Sequence, residues 1–539
     1  MTWWKQWFAK KSLEALRAEM EGEQLRRVLG SVSLTALGVG AVIGAGIFVM
    51  TGRAAREDTG AAIVVSYCVA GLGCSLAALC YAEFAALAPV AGSAYTYTYA
   101  TLGEGFAWVI GWDLVLEYAM GCATVASGWS GHFDEFLHAC FGVCVPAAVA
   151  ADPFSAPGAW LNLPAVLVVA AVTAVLVVGI RESVALNTAL VAVKVAVVLF
   201  VVAVGWAYVN PANWTAIPVA RREVPADPAQ KWGLLGLLGL NHWLVALDDR
   251  VRSPFVPYGL SGVMLGASIV FFSYIGFDSI SAHSEEARRP QRDVPIGILA
   301  SLAICTVLYV AVAAVLTGLV PYPRINPQAA VAAAFDDLAA RARSPALAVA
   351  AVVISCGALA GITSVLLVSF LSQARIFLAM ARDGLLPPAV FGAVHPRFRT
   401  PHRATVLTGV LVCALAGFTP IGQLQNLVNI GTLAAFALVC VAVLVLRVKR
   451  PDAARPFRCP AVLAVAPLGV AVNVTMMLFL PWETWLRLGA WLAVGLVIYF
   501  AYGRRHSVLA GRRAAPPETG GPPHAMVGNL PDPPPGRSA

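Results

Sequence analysis

Residues 38–49, GVGAVIGAGIFV, are apolar enough for a bilayer, yet closely spaced glycines break the run in its middle. The bilayer core has no water to satisfy exposed backbone groups, so a lipid-facing helix gains nothing from such a break. A helix that must unwind to offer bare N–H groups to a small anion requires one. A second interrupted stretch, FFSYIGFD at 271–278, lies five predicted spans later. Two broken helices at matching places in two halves of a membrane protein point to a transport site near the bilayer midplane.

Composition agrees. The chain is 59% hydrophobic and 12% charged, against about 25% charged for soluble domains. Spans are predicted at 33–51, 61–88, 106–128, 163–180, 186–209, 259–283, 296–320, 346–374, 404–418, 426–447, 461–480 and 485–502. The expected fold is therefore an all-α polytopic membrane protein of about 12 transmembrane helices. Residues 1–30 form a cytoplasmic segment, 31–505 the transmembrane domain with an outer loop at 210–258, and 506–539 a disordered cytoplasmic tail. Of the 37 Lys and Arg, 25 fall on the side of the N-terminus, 11 on the other, and Lys194 is intramembrane. That bias predicts cytoplasmic termini, and the +8 net charge is this surplus rather than a nucleic-acid footprint. No secretory signal peptide is apparent. Trp3, Trp4, Trp7 and Phe8 among Lys5, Lys10 and Lys11 predict an amphipathic helix on the inner leaflet.

Most of the eleven cysteines lie in apolar runs and read as small hydrophobes. Cys140 and Cys144 near His138 do not make a convincing zinc set, and no metal or cofactor is expected. Asn213-Trp214-Thr215 is a glycosylation sequon on the outer side.

An amino acid carries two charges, and a membrane site must replace the water around both. Amides freed near Ile43, Gly44, Ala45, Gly46 and Ile47 are expected to hold its carboxylate at a half-helix N-terminus. Carbonyls near Phe272, Ser273 and Ile275 are expected to hold its ammonium. Glu83, Glu117, Lys194 and Asp278 sit where lipid would penalise a charge by roughly 2.5–3.5 kcal/mol, so each must face a cavity or a partner. Lys194 is expected to carry a proton reversibly, or to stand where a sodium ion would. Asp278 or Glu117 is expected to meet a cationic side chain or to take part in gating. Mixed charges at the inner helix ends, Glu285, Arg288 and Arg375, suggest a gate opened by ion-pair exchange.

Five motifs together resemble the amino acid–polyamine–organocation superfamily, most closely its cationic amino acid transporter branch. They are LGVGAVIGAGIFVMTG at 37–52, GWDLVLEYAMG at 111–121, RESVALNTALVAVKVAVV at 181–198, the long stretch at 257–298, and QARIFLAMARDGLLP at 373–387. The resemblance implies a five-plus-five inverted repeat with helices one and six unwound, plus two C-terminal helices. It implies sodium-independent amino acid transport by alternating access, with Lys194 opposite the unwound part of helix one. It places Ile362 near the substrate side chain, where its bulk would shorten the pocket.

This chain departs from that branch in three ways. Twelve spans stand where many members have fourteen, residues 226–252 look inserted, and Ala45 replaces a hydroxyl residue of some relatives. The expected cargo is a cationic amino acid such as arginine, lysine or ornithine, possible proton coupling included. A small neutral amino acid symporter and a non-transporting sensor are the alternatives. No catalytic constellation marks an enzyme. The expected location is the plasma membrane, or else a vacuolar or other endomembrane.

Overall fold

The computed structural model describes residues 3–11, 29–87, 93–178, 181–217, 228–282, 284, 287–327, 329–395 and 400–510. Of the expected disordered tail at 506–539, residues 506–510 are described and packed, Ser507 donating to Glu104 and the Val508 N–H to the Asp383 carbonyl; the rest of it and the gate residue Glu285 lie outside the described residues. Among the described residues there is no strand, only an isolated bridge between Leu29 and Ala287. Among the described residues nine helices are long and apolar enough to cross a membrane, and three shorter apolar helices, Ser31–Val42, Leu163–Val178 and His402–Phe418, complete the twelve predicted spans.

The helix lengths repeat. Span one is broken after Ser31–Val42, and spans two to five have 25, 38, 16 and 26 residues. Span six is broken after Gly259–Val270, and spans seven to ten have 30, 38, 17 and 29 residues. This is the five-plus-five arrangement, and Val462–Phe479 and Trp482–Ile498 follow it as the two extra helices. The long spans three (Glu104–Phe141) and eight (Pro345–Arg382) run alongside each other and flank both breaks.

Both long spans exceed their predicted limits: the end of span eight stays helical with Ile376, Phe377 and Met380 buried, and span three runs on to an exposed last turn at 138–141. A further helix, Ala330–Ala342, is additional; its buried face is Val331, Ala334, Phe335 and Ala339. The apparent insertion contains two helices, Pro228–Leu237 and Asn241–Val251. The second places Asp248 over the start of span six. There its carboxylate accepts the Ser261 N–H at 2.7 Å and the Ser261 hydroxyl, supplying acceptors to a helix N-terminus. Gly259, at φ +73, fits beneath Asp248, where a Cβ would come within 2.5 Å.

The N-terminal helix Trp3–Trp7 docks on protein rather than lying only on lipid. Gln6 is buried and donates to Glu104 at 2.9 Å and to the Arg504 carbonyl at 2.8 Å. Trp7 packs on Phe106, Tyr499 and Phe500. Both ends of the described chain therefore meet on one face.

On span two, Glu83 is fully buried. It accepts both forks of Arg447 at 2.8 and 2.7 Å, with Arg455 Nε 3.2 Å away and the Cys459 N–H at 2.8 Å. Removing one partner of such a buried pair leaves the others uncompensated. Glu83→Ala is expected to destabilise the protein by about 3–5 kcal/mol, read as a lowered melting temperature in detergent. An unchanged melting curve would show that the pair is not holding spans two and ten together.

Candidate functional site

The two breaks meet at the centre of the molecule. The first half of span one ends at Val42, and Ile43 turns extended. A wide-turned segment, Gly46–Met50, then restarts the helix. A helix start exposes amides and a helix end exposes carbonyls, so one break presents both. Span six tightens over Phe271–Tyr274, extends at Ile275, passes through Gly276 at φ +117, and resumes at Ser279–Ala282. Gly46 lies directly on Ser273, where an added Cβ would stand 2.3 Å from the Ser273 Cα. Gly276 faces the Ala41 carbonyl, 2.9 Å from where its Cβ would be. Both glycines let two backbones approach.

Between the breaks lies a cavity of about 40 Å³, room for roughly three waters. Gly44, Ala45 and Gly46 line it from span one, and Phe272, Ile275, Gly276 and Ser279 from span six. Span three adds Glu117, Tyr118 and Val125; span eight adds Val365, Val368, Ser369 and Ser372. Of the residues expected here, Gly44, Ala45, Gly46, Phe272, Ile275 and Glu117 reach the cavity. Ile43 and Ile47 are buried beside it. Ser273 sits behind Gly46, with its carbonyl accepting the Tyr309 hydroxyl at 2.7 Å. Ile362 is buried in the surrounding apolar cluster; Val365, about one turn further along the helix, faces the break instead.

Lys194 is fully buried. Its Nζ donates to the Gly40 carbonyl and, at 3.2 Å, to the Ser364 hydroxyl. Span five thereby reaches the last turn of the first half-helix and span eight. Asp278 is buried outside the cavity, with the Tyr118 hydroxyl donating to it at 3.3 Å. Its Oδ1, the Oε1 of Glu117 and both oxygens of Asp113 have no hydrogen-bond partner among the described residues. Asp113 stands one turn before Glu117 on span three, and its carboxylate adjoins Gly431.

Sequence reasoning passed over Asp113 because it sits near a predicted span end. It also passed over the side chains that satisfy freed carbonyls. Asn429 donates to Ser268 at 2.7 Å and to Ile269 at 3.2 Å, Gln425 donates to Ile269 at 2.8 Å, and Tyr309 serves both breaks. Tyr309 is a lone polar residue inside an apolar run, whereas Gln425 and Asn429 sit with Gln423 and Asn426 at the start of span ten.

At the N-terminal face, the Arg288 N–H donates to the Leu29 carbonyl at 2.8 Å, tying the segment after span six to the start of span one. Arg375 lies on the last turns of span eight. On the opposite face, the Asn213 side chain donates to the Gly318 carbonyl at 2.6 Å. Cys144 lies 3.6 Å from His138, and no group of three metal-ligating side chains occurs among the described residues.

The contacts of Gly44 and Gly46 differ in kind. A Cβ at Gly44 would meet the side chain of Val365, whereas one at Gly46 would meet the backbone of Ser273. Gly46→Ala is expected to lower thermal stability by more than 1 kcal/mol, the lower end of the usual cost of overpacking, and Gly44→Ala by less. Melting curves of the two purified variants would decide; equal curves would mean that the breaks are not in backbone contact.

A family model described as amino acid permease matches residues 29–498. A methylthioribose transporter of Bacillus subtilis is 43% identical over 93% of this chain and 99% of its own length. A branched-chain amino acid permease of the same organism is 42% identical over 93% of this chain and 98% of its own. A vacuolar cationic amino acid transporter of Arabidopsis thaliana is 39% identical over 80% of this chain, which spans 64% of that relative. With two broken helices crossing at a small cavity and a matched model covering nearly all its spans, this chain belongs to the amino acid permease family of the amino acid–polyamine–organocation superfamily.

Proposed function

We propose that this protein carries α-amino acids with neutral aliphatic side chains across a membrane, without sodium, by alternating access. The observation that carries this reading is the apolar wall of the cavity opposite the backbone groups, formed by Val125, Val365, Val368 and Phe272. Such a wall gains from burying an aliphatic chain and penalises a charge that finds no partner. The half-helix start at Gly46 receives the carboxylate, and the carbonyl at Val42 receives the ammonium. The similarity to a branched-chain amino acid permease supports the same cargo.

A second reading, cationic amino acids, is favoured by one observation. Glu117 reaches the cavity, and its Oε1 has no partner among the described residues. The cationic relatives support it at lower identity. A thiosugar, the cargo in the name of one relative, lacks both the carboxylate and the ammonium of an amino acid.

Lys194 is the proton-carrying group in this scheme. Its ammonium binds the Gly40 carbonyl at the end of the first half-helix, so losing or gaining the proton changes how firmly that half-helix is held. The transporter domain is taken as 31–505, the termini as cytoplasmic from the charge bias, and the plasma membrane as the location. Arg288 and Arg375 act at the inner gate.

Uptake of labelled leucine, arginine and methylthioribose into proteoliposomes, in sodium-free buffer with and without an inward proton gradient, tests the scheme. Saturable leucine uptake is expected, stimulated by the gradient in wild type and indifferent to it in Lys194→Ala. Arginine uptake that disappears in Glu117→Gln would move the protein to the second reading. Binding without uptake of any cargo would make it a sensor.

A further inference from the structure

Tyr309, on span seven, is fully buried. Its hydroxyl stands 2.9 Å from the Val42 carbonyl at the break of span one and 2.7 Å from the Ser273 carbonyl at the break of span six. A phenol has one hydrogen to donate, so the two carbonyls compete for it. Val42 lines the cavity, whereas Ser273 does not. The ring is held in place. Tyr67 and Tyr274 pack on it with centroids 5.4 and 5.3 Å away. The Tyr274 hydroxyl donates to the Tyr67 carbonyl at 2.8 Å, and the Tyr67 hydroxyl lies 2.6 Å from Thr51 Oγ1 and 3.2 Å from Ser273 Oγ. A ring fixed this way cannot follow the two breaks if they part.

We propose that Tyr309 is a positioning residue that rations one hydrogen between the two breaks and thereby couples the arrival of an α-ammonium to the release of the tie between spans one and six. This rests on the amino acid reading above. In the empty site the shared hydrogen ties the two unwound segments together and leaves the Val42 carbonyl under-satisfied. An arriving ammonium supplies that carbonyl with its own donor. The Tyr309 hydrogen then passes wholly to Ser273, and the tie between spans one and six is released as the cargo binds. A ligand without an ammonium leaves the competition in place. Tyr309 touches the carbonyl and not the cargo, so its effect is on the free energy of the empty site.

The test is Tyr309→Phe, which keeps the ring and its packing and removes the only O–H. Binding and uptake of leucine, and binding of its deaminated analogue 4-methylpentanoate, are measured for wild type and variant. In the variant the leucine ammonium is the donor the Val42 carbonyl lacks. Leucine is therefore expected to bind roughly fivefold or more tightly, the effect of an unsatisfied buried acceptor gaining a partner. Turnover falls because release is harder, and the affinity for the analogue does not change.

Equal affinities in wild type and variant, or a parallel change for leucine and the analogue, would overturn the proposal and leave Tyr309 a packing residue. Should Tyr309→Phe not fold, Tyr309→p-aminophenylalanine offers two N–H groups, one for each carbonyl; weaker leucine binding is then expected, and unchanged binding refutes. The amino acid reading is judged by the wild-type arm: a wild type that binds no amino acid removes both that reading and this one.

Discussion

A polar backbone group inside a bilayer must find a partner within the protein, and unwinding a helix there frees several at once. Every notable feature of this molecule's centre answers that constraint. Lys194 from span five meets the Gly40 carbonyl. Asn429 and Gln425 from span ten meet carbonyls just before the span-six break. Tyr309 from span seven divides itself between both breaks. Of the groups left with capacity to spare, Glu117 faces the cavity, whereas Asp113 and Asp278 do not.

Charge is distributed around the breaks with the same economy. Among the described residues the one fully buried ammonium, Lys194, stands on span five and reaches span eight, while Asp113, Glu117 and Asp278 stand on spans three and six. These carboxylates have open acceptor positions, unlike Glu83, which two guanidinium groups and an amide surround. Glu83 is a brace. The other three keep open lone pairs, and of them Glu117 lines the cavity.

The breaks and the twelve spans were legible because they are long-range signals: glycines inside apolar runs, and runs of spanning length. The repeat became clear only as helix lengths, since the polar ends of spans three and eight do not read as membrane segments although they stay helical. Side-chain direction was harder. Ile362 and Val365 are less than a turn apart, and only the packing of span eight against Gly44 decides which one faces the cargo. Tyr309 and Asn429 could not be assigned from sequence. A polar residue in an apolar helix looks alike whether it bonds its own helix, a neighbour or a ligand. The short helix at Trp3–Trp7 was recognisable, but its docking on Glu104 and Arg504 depends on residues a hundred and nearly five hundred positions away.

The two halves of span six are unequal. The first half is a twelve-residue helix whose start is closed by Asp248, and the second is described over Ser279–Ala282. Movement of the capped half must carry the Asn241–Val251 helix with it, because Asp248 holds both the N–H and the hydroxyl of Ser261. The barrier on that side is therefore a collective rearrangement of packed surfaces.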